Sequence, residues 1–178
     1  MTQERLQLLF PPEQIAQRIR ELGELISTDY SGRQVAVVGV LKGCFVFLAD
    51  LIRGLDLDVT IDFVQIESYG ALREPTGPCT LVKELGIDIT GRDVLVIEDI
   101  VDTGATLAHL LSELRARSPE SIRVCALLNK QARRRVAVAV DYVGFEVDDV
   151  FVVGCGLDFS ERYRALPGIY ALLPDEPA

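Results

Sequence analysis

The chain has 178 residues, a size at which one domain buries roughly 70% of its unfolded surface and needs no disulfide or metal to fold. Its composition, with 49% hydrophobic and 25% charged residues, is globular rather than disordered or fibrous. The formal net charge of −9 argues against non-specific binding to nucleic acid or an anionic membrane, because both require a basic surface. We therefore predict a single domain over residues 1–178 that binds neither nucleic acid nor a membrane surface.

The cysteines and the N-terminal segment indicate a cellular compartment. The four cysteines show neither a CxxC motif nor paired Cys/His spacing, which argues against a zinc site: Cys44, Cys79, Cys125 and Cys155. The first residues are not a basic segment followed by an apolar one, and no apolar run approaches the roughly 18 residues of a membrane helix. The sequence predicts a cytoplasmic protein with reduced, mostly buried thiols.

The first half of the chain predicts one helix and then a strand–helix–strand unit. Apolar residues recur at helical spacing after Pro11 and Pro12, and they are Ile15, Ile19, Leu22 and Ile26. VAVVGV (35–40) predicts a buried strand and CFVFLADLIRGL (44–55) predicts a helix. Alternating residues over 57–63 predict a half-exposed strand near an edge.

The second half alternates strands with helices in the same way. SYGALREPTGP (68–78) is rich in turn-forming residues, and we predict a long loop that acts as a lid over about 68–80. The strand DVLVI then leads through an acid-rich turn into a helix over 106–118, and further strands are predicted at 121–128, 141–145 and 150–154. This alternation predicts an α/β fold with a mainly parallel central sheet flanked by helices.

The stretch VLVIEDIVDTGATL (94–107) predicts an anion site. A buried strand that enters a helix through a glycine turn places backbone N–H groups and the positive end of the helix dipole at one point. Thr103 and Thr106 add hydroxyl donors, and Gly104 lacks the Cβ that would hold a phosphate away. In the alternative interpretation, either threonine only caps the helix and the glycine only permits the turn.

Three carboxylates, Glu98, Asp99 and Asp102, stand beside this turn. Acids next to a phosphate pocket are costly unless they meet donors such as sugar hydroxyls or a metal ion. Glu98 and Asp99 are therefore candidate ligands of ribose hydroxyls, and Asp102 is a candidate general base facing whatever is joined to the sugar. A solvated strand end for the first two, and an Asx-type turn for Asp102, are the alternatives.

Other signals favour no competing site. The chain contains neither GxxxxGK[ST] nor GxGxxG, which disfavours a P-loop kinase and a Rossmann dehydrogenase. The single histidine, His109, lies in a leucine-rich helix and is predicted to be structural. Lys130 and Arg133–Arg135 form a basic cluster that we predict to be a solvated turn rather than an RNA-binding patch.

The stretch 94–107 resembles the PRPP-binding motif of the type I phosphoribosyltransferases, and its EDIVDTG core is similar to the hypoxanthine-guanine branch. Four further stretches resemble that branch in the same order: VVGVLKGCFVFLADL (37–51), ESYG (67–70), LLNK (127–130) and GFEVDDVFVVGCGLDFSERYRALP (144–167). The resemblance implies the type I phosphoribosyltransferase fold, with a small hood formed by the terminal segments. It also implies transfer of a ribose 5-phosphate from PRPP to hypoxanthine or guanine.

The resemblance implies roles for particular residues on the PRPP side. PRPP and its ribose phosphate would be bound by Glu98, Asp99, Asp102, Thr103, Gly104, Ala105 and Thr106, with Asp102 as the catalytic base. Pyrophosphate would be bound by Lys42 and Gly43, in a turn where the family has a non-proline cis peptide, and by Arg164. Magnesium is the implied cofactor, with Asp158, Glu98 and Asp99 as its carboxylates.

Further roles are implied on the purine side. Lys130 would donate to O6 of a 6-oxopurine, Phe151 would stack on the base and Val152 would offer backbone contacts, while Ser68 and Tyr69 would belong to the lid. The alternatives are a solvated amine for each lysine, core positions for Phe151 and Val152, and a simple salt bridge within SERYR (160–164) in place of the roles of Asp158 and Arg164. A homodimer or homotetramer is also implied.

Two departures and two rival functions accompany this resemblance. The family usually has tyrosine where this chain has Cys155 and Phe159, so the choice among hypoxanthine, guanine and xanthine stays open. A non-catalytic regulator that senses PRPP or a nucleotide could do without Asp102, the LKG turn or the lid stretch, yet all three are present. A bifunctional uracil phosphoribosyltransferase that binds RNA would need a basic face, which the charge of −9 disfavours.

Overall fold

The computed structural model describes residues 5–68 and 79–173, and most of the predicted lid (69–78) lies outside the described residues. In chain order the elements are β1 (Arg5–Phe10), α1 (Pro12–Asp29), β2 (Gln34–Leu41), α2 (Phe45–Arg53), β3 (Asp58–Ser68), β4 (Cys79–Lys83), β5 (Asp93–Val101), α3 (Ala105–Arg115), β6 (Ser121–Asn129), a 3-10 helix (Gln131–Arg133), β7 (Tyr142–Glu146), β8 (Val152–Val153) and β9 (Ile169–Leu173). The predicted order of strands and helices from α1 to β8 is confirmed over these residues, except that β1, β4 and β9 were not predicted.

Six strands form the central sheet in the order β4-β3-β2-β5-β6-β7. Every neighbouring pair is parallel except β3 and β4, so the predicted mainly parallel sheet is confirmed. The strand predicted at 57–63 is present as β3 but is longer, because it continues to Ser68. It lies next to the edge of the sheet, and the edge strand itself is β4. β4 was not predicted, because its TLVK run is too short to show a period.

Helices cover both faces of the central sheet because successive strand residues point to opposite sides. Val35 and Val37 of β2 pack with the apolar face of α1 and with α2. Val94 and Val96 of β5 face the other side and pack on α3, whose four leucines are buried: Leu107, Leu110, Leu111 and Leu114. Within the described ranges, no helix combines the length and the apolar character needed to cross a bilayer.

A second sheet of three strands joins the two ends of the described chain in the order β1-β9-β8. Its strands pair antiparallel, with Val152 opposite Ala171 and Leu6 opposite Leu172. This sheet is the predicted hood. The strand predicted at 150–154 is only two residues long and belongs to the hood rather than to the central sheet, because Gly154 turns the chain with a φ of 98°.

The parallel register brings three strand ends together. β2, β5 and β6 end at Leu41, Val101 and Asn129, and all three point the same way in adjacent positions of the sheet. The segments that follow these strands begin at Lys42, Asp102 and Lys130. In parallel sheets, ligands bind at the carboxyl ends of the strands, so this edge is where a site is expected.

Candidate active site

Glu98 and Asp99 lie inside β5, near its carboxyl end, and the turn begins only at Asp102. Glu98 is 7% exposed, so the alternative of a solvated strand end is wrong for it. Burial, reinforced by the neighbouring charge of Asp99, raises the pKa of Glu98 well above its usual range. Burial also raises the pKa of Asp99 to about 6, although the Ile100 N–H donates to its Oδ1 at 2.9 Å and opposes that change. The acid pair is energetically unfavourable on its own and favours a ligand rich in donors or positive charge.

The turn after β2 is in direct contact with this acid pair. A Cβ added to Gly43 would lie 1.6 Å from Oδ2 of Asp99, so the carboxylate rests against the bare backbone of the turn. Gly43 is therefore more than an ordinary turn glycine. The Leu41–Lys42 peptide bond is cis, at the place where the resemblance implied such a bond. The Lys42 amine is exposed and lies 3.1 Å from Oε1 of Glu161.

The turn that opens α3 has the geometry of an anion site. Gly104 is the N-cap residue with a φ of 83° and has no side chain to cap the helix. The Thr103 hydroxyl accepts from the Ala105 N–H at 3.4 Å, so the capping alternative has support for Thr103. A Cβ at Gly104 would lie 2.5 Å from the Val136 carbonyl oxygen, so the turn and its neighbour both require glycine there. The first amides of a helix have no partner within the helix and are free to bind an anion.

Asp102 follows β5 at the mouth of this turn. Its Oδ1 is buried and accepts no hydrogen bond from any described residue, while its Oδ2 lies 3.6 Å from the Arg133 guanidinium. No amide of the turn donates to the carboxylate within the described ranges, so the Asx-turn alternative has no support. A buried acceptor without a partner costs roughly 1–3 kcal/mol unless a ligand satisfies it.

Lys130 contradicts the prediction of a solvated basic turn. It is 4% exposed, and in the described part of the chain its ammonium makes no hydrogen bond or ion pair. Burial lowers its pKa, and the charge of Asp102 opposes that effect. The prediction was wrong because the chain folds back over the end of β5 after β6: the Lys130 N–H donates to the Val101 carbonyl at 2.9 Å. Charge density in the sequence does not reveal such a reversal.

The SERYR stretch supplies a second set of charges. Arg164 lies 3.2 Å from Oε2 of Glu161, so the salt bridge within SERYR considered as an alternative is present. Arg164 also lies 2.7 Å from Oδ1 of Asp158. Its NH1 donates to the Gly156 carbonyl at 2.8 Å, whereas its Nε is buried without a partner among the described residues. One donor of the guanidinium thus remains for a ligand.

Two cavities meet along these residues. The smaller, of about 150 Å³, is lined by Glu98, Ile100, Val101, Asp102, Thr103, Gly104, Thr106, Leu107 and Arg133. The larger, of about 370 Å³, is lined by Val40, Leu41, Lys42, Gly43, Gln65, Ile66, Glu98, Asp99, Ile100, Thr106, Asp158, Glu161 and Arg164. Glu98, Ile100 and Thr106 line both, so the structure brings the residues predicted for the ribose phosphate and for pyrophosphate to one continuous surface.

The residues predicted for the purine lie outside these two cavities. Phe151 is 50% exposed and meets Phe159 edge to face at 5.5 Å between ring centroids, so the core alternative is wrong for it. Val152 is buried in β8, as that alternative had it, and only its backbone could face a ligand. Tyr69 lies outside the described residues, and the side chain of Ser68 does too.

The carboxylates fit a magnesium ion only together with a substrate. Among the described residues, no three acids, histidines or cysteines are grouped as a complete metal site. Asp99 and Asp158 line the same cavity, and the charge of Asp158 helps to raise the pKa of Asp99. One or two carboxylates completed by substrate oxygens is the ligand set that Mg²⁺ prefers.

The sheet edge, the anion turn and the acid pair are the features expected of a protein that binds a phosphorylated sugar, and comparison with known proteins identifies the family. Residues 9–160 match the family model described as a phosphoribosyl transferase domain, so the chain belongs to the phosphoribosyltransferase family.

The relatives that share most of its length come from the branch predicted from the motifs. The hypoxanthine-guanine phosphoribosyltransferase of Aquifex aeolicus is 43% identical over 167 residues, which cover 93% of this chain and 94% of that protein. A crystal structure of the hypoxanthine-guanine phosphoribosyltransferase hpt-2 from Bacillus anthracis, with HEPES in its active site, superposes with a TM-score of 0.91 at 42% identity and covers 96% of this chain and 100% of that one. The predicted resemblance and fold are confirmed.

One relative is much longer than this chain. The bifunctional protein TilS/HprT of Listeria monocytogenes is 44% identical over 168 residues, which cover 94% of this chain. The chain spans 26% of the length of that relative.

Proposed function

We propose that the protein is a purine salvage enzyme that converts hypoxanthine or guanine and PRPP into IMP or GMP and pyrophosphate. The observation that carries this proposal is the combination of a buried Asp102 oxygen without a partner and a buried Lys130 side chain, both close to the Gly104 anion turn in sequence or in charge interaction. One group accepts a proton and the other donates a hydrogen bond, as the edge of a 6-oxopurine requires.

PRPP would bind across the two cavities. The amides of the turn from Asp102 to Thr106 would hold the 5′-phosphate, and Glu98 and Asp99 would accept from the ribose hydroxyls. This arrangement explains why both acids tolerate burial, since hydroxyl donors favour their ionised forms. Gly43, with Lys42 and Arg164, would hold the pyrophosphate on the other side of the sugar.

A magnesium ion would accompany PRPP at Asp158, Glu98 and Asp99. When bound, it would neutralise pyrophosphate charge and so assist departure of that group. The carboxylates themselves would hold the sugar and face the positive charge that grows on it as its bond to pyrophosphate loosens. Preorganised charges of this kind stabilise a transition state without reorganisation.

The purine would enter against Phe151, with backbone contacts from Val152. Its nitrogen would form a bond to the anomeric carbon as the bond from that carbon to pyrophosphate breaks, and Asp102 would take the proton from the purine. The unsatisfied Oδ1 of Asp102 supports this role. Ser68 and Tyr69 would close over the site and exclude water from the reactive sugar.

Lys130 would set the choice of base. Its ammonium would donate to O6 of hypoxanthine or guanine, whereas adenine would present an amino group and leave two donors facing each other. Sites built on such hydrogen bonds can reject the wrong partner by roughly 10⁴-fold. The burial of the Lys130 side chain supports this role, because a lysine held largely away from water gains from a ligand that accepts its hydrogen bonds.

The remaining expectations concern organisation. We propose one domain over residues 1–178, a homodimer or homotetramer, and a cytoplasmic location. The buried, unpaired thiols of Cys44, Cys125 and Cys155 suit a reducing compartment.

The decisive experiment supplies the protein with PRPP, magnesium and one free base at a time, and detects nucleotide and pyrophosphate. Hypoxanthine, guanine and xanthine are compared in competition, with adenine and uracil as controls. We expect IMP or GMP to form and adenine to remain unused. Binding of PRPP without any product would indicate the non-catalytic regulator, and product from uracil alone would indicate the bifunctional regulator.

A further inference from the structure

Arg134 forms hydrogen bonds to the ends of β5 and β6, the two strands that are followed by Asp102 and Lys130. Its Nε donates to the Asp102 carbonyl at 3.1 Å, and its NH2 donates to the Val101 carbonyl at 3.4 Å. NH2 also donates to the side-chain oxygen of Asn129, the last residue of β6. NH1 donates to the Val138 carbonyl at 3.4 Å. The guanidinium therefore spans from the end of β5 to the end of β6.

Asn129 extends this connection to the neighbouring strand. It is 3% exposed, and its amide nitrogen donates to Oε1 of Glu146 in β7 at 2.9 Å. Both polar ends of its side chain are thus occupied, which fixes its orientation. Asn129 immediately precedes Lys130. The Arg134 guanidinium therefore bonds to the residue next to the one that carries the ammonium.

The backbone of the anion turn has a separate attachment. The Thr103 carbonyl accepts from the amides of Arg135 at 2.9 Å and Val136 at 3.0 Å, and neither bond involves the Arg134 side chain. Loss of that side chain would leave these two backbone attachments of the phosphate turn in place and would remove the packing of the Arg134 Cδ against Gly104. It would also release the peptide that carries Asp102.

We propose that Arg134 is a positioning residue that fixes the Asp102 carboxylate relative to the Lys130 ammonium, so that one purine can meet both. This inference rests on the proposed function for the roles of those two groups. Arginine is required because its planar fork of donors can reach several carbonyls at once, whereas a lysine ammonium is a single point. Arg134 itself lines neither of the two cavities proposed to hold the substrates.

A cavity of about 470 Å³ beside Arg134 makes the proposal testable by chemical rescue. Its lining includes Arg134 and the residues that bond to it or to Asn129, namely Asn129, Val138 and Glu146. A free guanidinium ion could enter through this cavity when the side chain is cut back. It would find the same acceptors that the native guanidinium uses.

The test compares Arg134→Ala and Arg134→Lys with the parent and with Arg115→Ala, a control at an exposed arginine in the last turn of α3. Because misplacement by about 1 Å can cost 10²-fold in rate, we expect kcat to fall by about 10–10² in both Arg134 variants, with KM for PRPP within threefold. Guanidinium at low millimolar concentration should raise the kcat of Arg134→Ala at least fivefold. Methylammonium at the same concentration should not.

The outcomes separate positioning from mere stability and from the proposed function. A lowered melting temperature with unchanged kcat, or equal rescue by both cations, would overturn the proposal. If Arg134→Ala does not fold, Arg134→Lys decides, and parental kcat in that variant would refute it. Amide hydrogen exchange at residues 101–103 provides a readout without turnover: faster exchange there in folded Arg134→Lys than in the control supports the attachment. A parent that forms no nucleotide refutes the proposed function, whereas unchanged exchange refutes the attachment.

Discussion

Replacing Asp99 with asparagine should stabilise the fold while weakening PRPP binding. The change removes a charge that burial makes unfavourable and keeps an oxygen that can accept the Ile100 N–H, now 2.9 Å from Oδ1. Carboxylates whose pKa is raised by folding destabilise the folded state whenever they are ionised. The gain in stability should therefore depend on pH.

The magnitude follows from the pKa of Asp99, which rises from 3.8 to about 6 on folding because of burial. That difference corresponds to about 3 kcal/mol at 1.36 kcal/mol for each pH unit. Asp99 is partly open to the larger cavity, and screening there reduces the expected effect to about 1–2 kcal/mol. The destabilisation of the parent by ionised Asp99 is absent below pH 3.8, the pKa of the unfolded state. It grows with pH between 3.8 and about 6, because in this range the unfolded carboxyl has lost its proton and the folded one still keeps it. Above about pH 6 the destabilisation is complete.

Urea unfolding at pH 8 and pH 5 measures this effect, with Asp56→Asn in the exposed loop between α2 and β3 as the control. The advantage of Asp99→Asn over the parent should fall by about half between pH 8 and pH 5, and that of the control should not change. KM for PRPP should rise in Asp99→Asn alone. An Asp99→Asn protein less stable than the parent at pH 8, or an advantage independent of pH, would refute the reasoning.

Four further changes test other parts of the site and fold. Asp102→Asn should lower kcat by about 10²–10⁴ with PRPP binding retained, as expected for a general base, and turnover within threefold of the parent would reject that role. Lys130→Ala should lose the preference for 6-oxopurines in competition assays, and unaltered hypoxanthine kinetics with adenine still excluded would count against it. Gly43→Ala should raise KM for PRPP about tenfold or more, because its Cβ would displace the Asp99 carboxylate; Gly54→Ala, whose Cβ meets only the Leu51 carbonyl at 3.4 Å, is the matched control. Burial opposes ionisation of Asp62, but hydrogen bonds from the amides of Phe63 and Gly86 and from the Lys83 ammonium outweigh burial and lower the pKa of Asp62 to about 2. The variant Asp62→Asn should therefore lose up to about 2 kcal/mol of stability above pH 4. That loss should diminish as the pH falls from 4 towards 2, and an equal loss at both ends of this range would contradict the interpretation.

The sequence predicted the central sheet because its strands carry the pattern of their burial. VAVVGV and DVLVI are uninterrupted apolar runs, as expected of parallel strands covered on both faces, and the leucines of α3 mark its buried side. The hood strands carry no comparable signal, because β8 is two residues long and β1 is mostly exposed. Only the family resemblance implied a hood.

The site was predictable in its residue types and not in their surroundings. The order of motifs indicated the acid pair and the lysine, but it could not show that Asp99 rests on Gly43, 56 positions earlier in the chain. The arginines after Lys130 were interpreted as solvated because they are adjacent charges. Their true environment depends on the chain reversal over β5, which is a tertiary contact without a local pattern.

The hood links both ends of the described chain to the aromatic ring proposed for base stacking. The Leu172 N–H of β9 donates to the Phe151 carbonyl at 2.8 Å, and β9 pairs in turn with β1. We therefore expect an affinity tag fused next to either strand to disturb the backbone that holds Phe151. The phosphate turn (102–106) lies 45–49 residues before Phe151 and follows a strand of the other sheet, so it should be unaffected. Kinetic constants for free bases are best compared between tagged and cleaved protein.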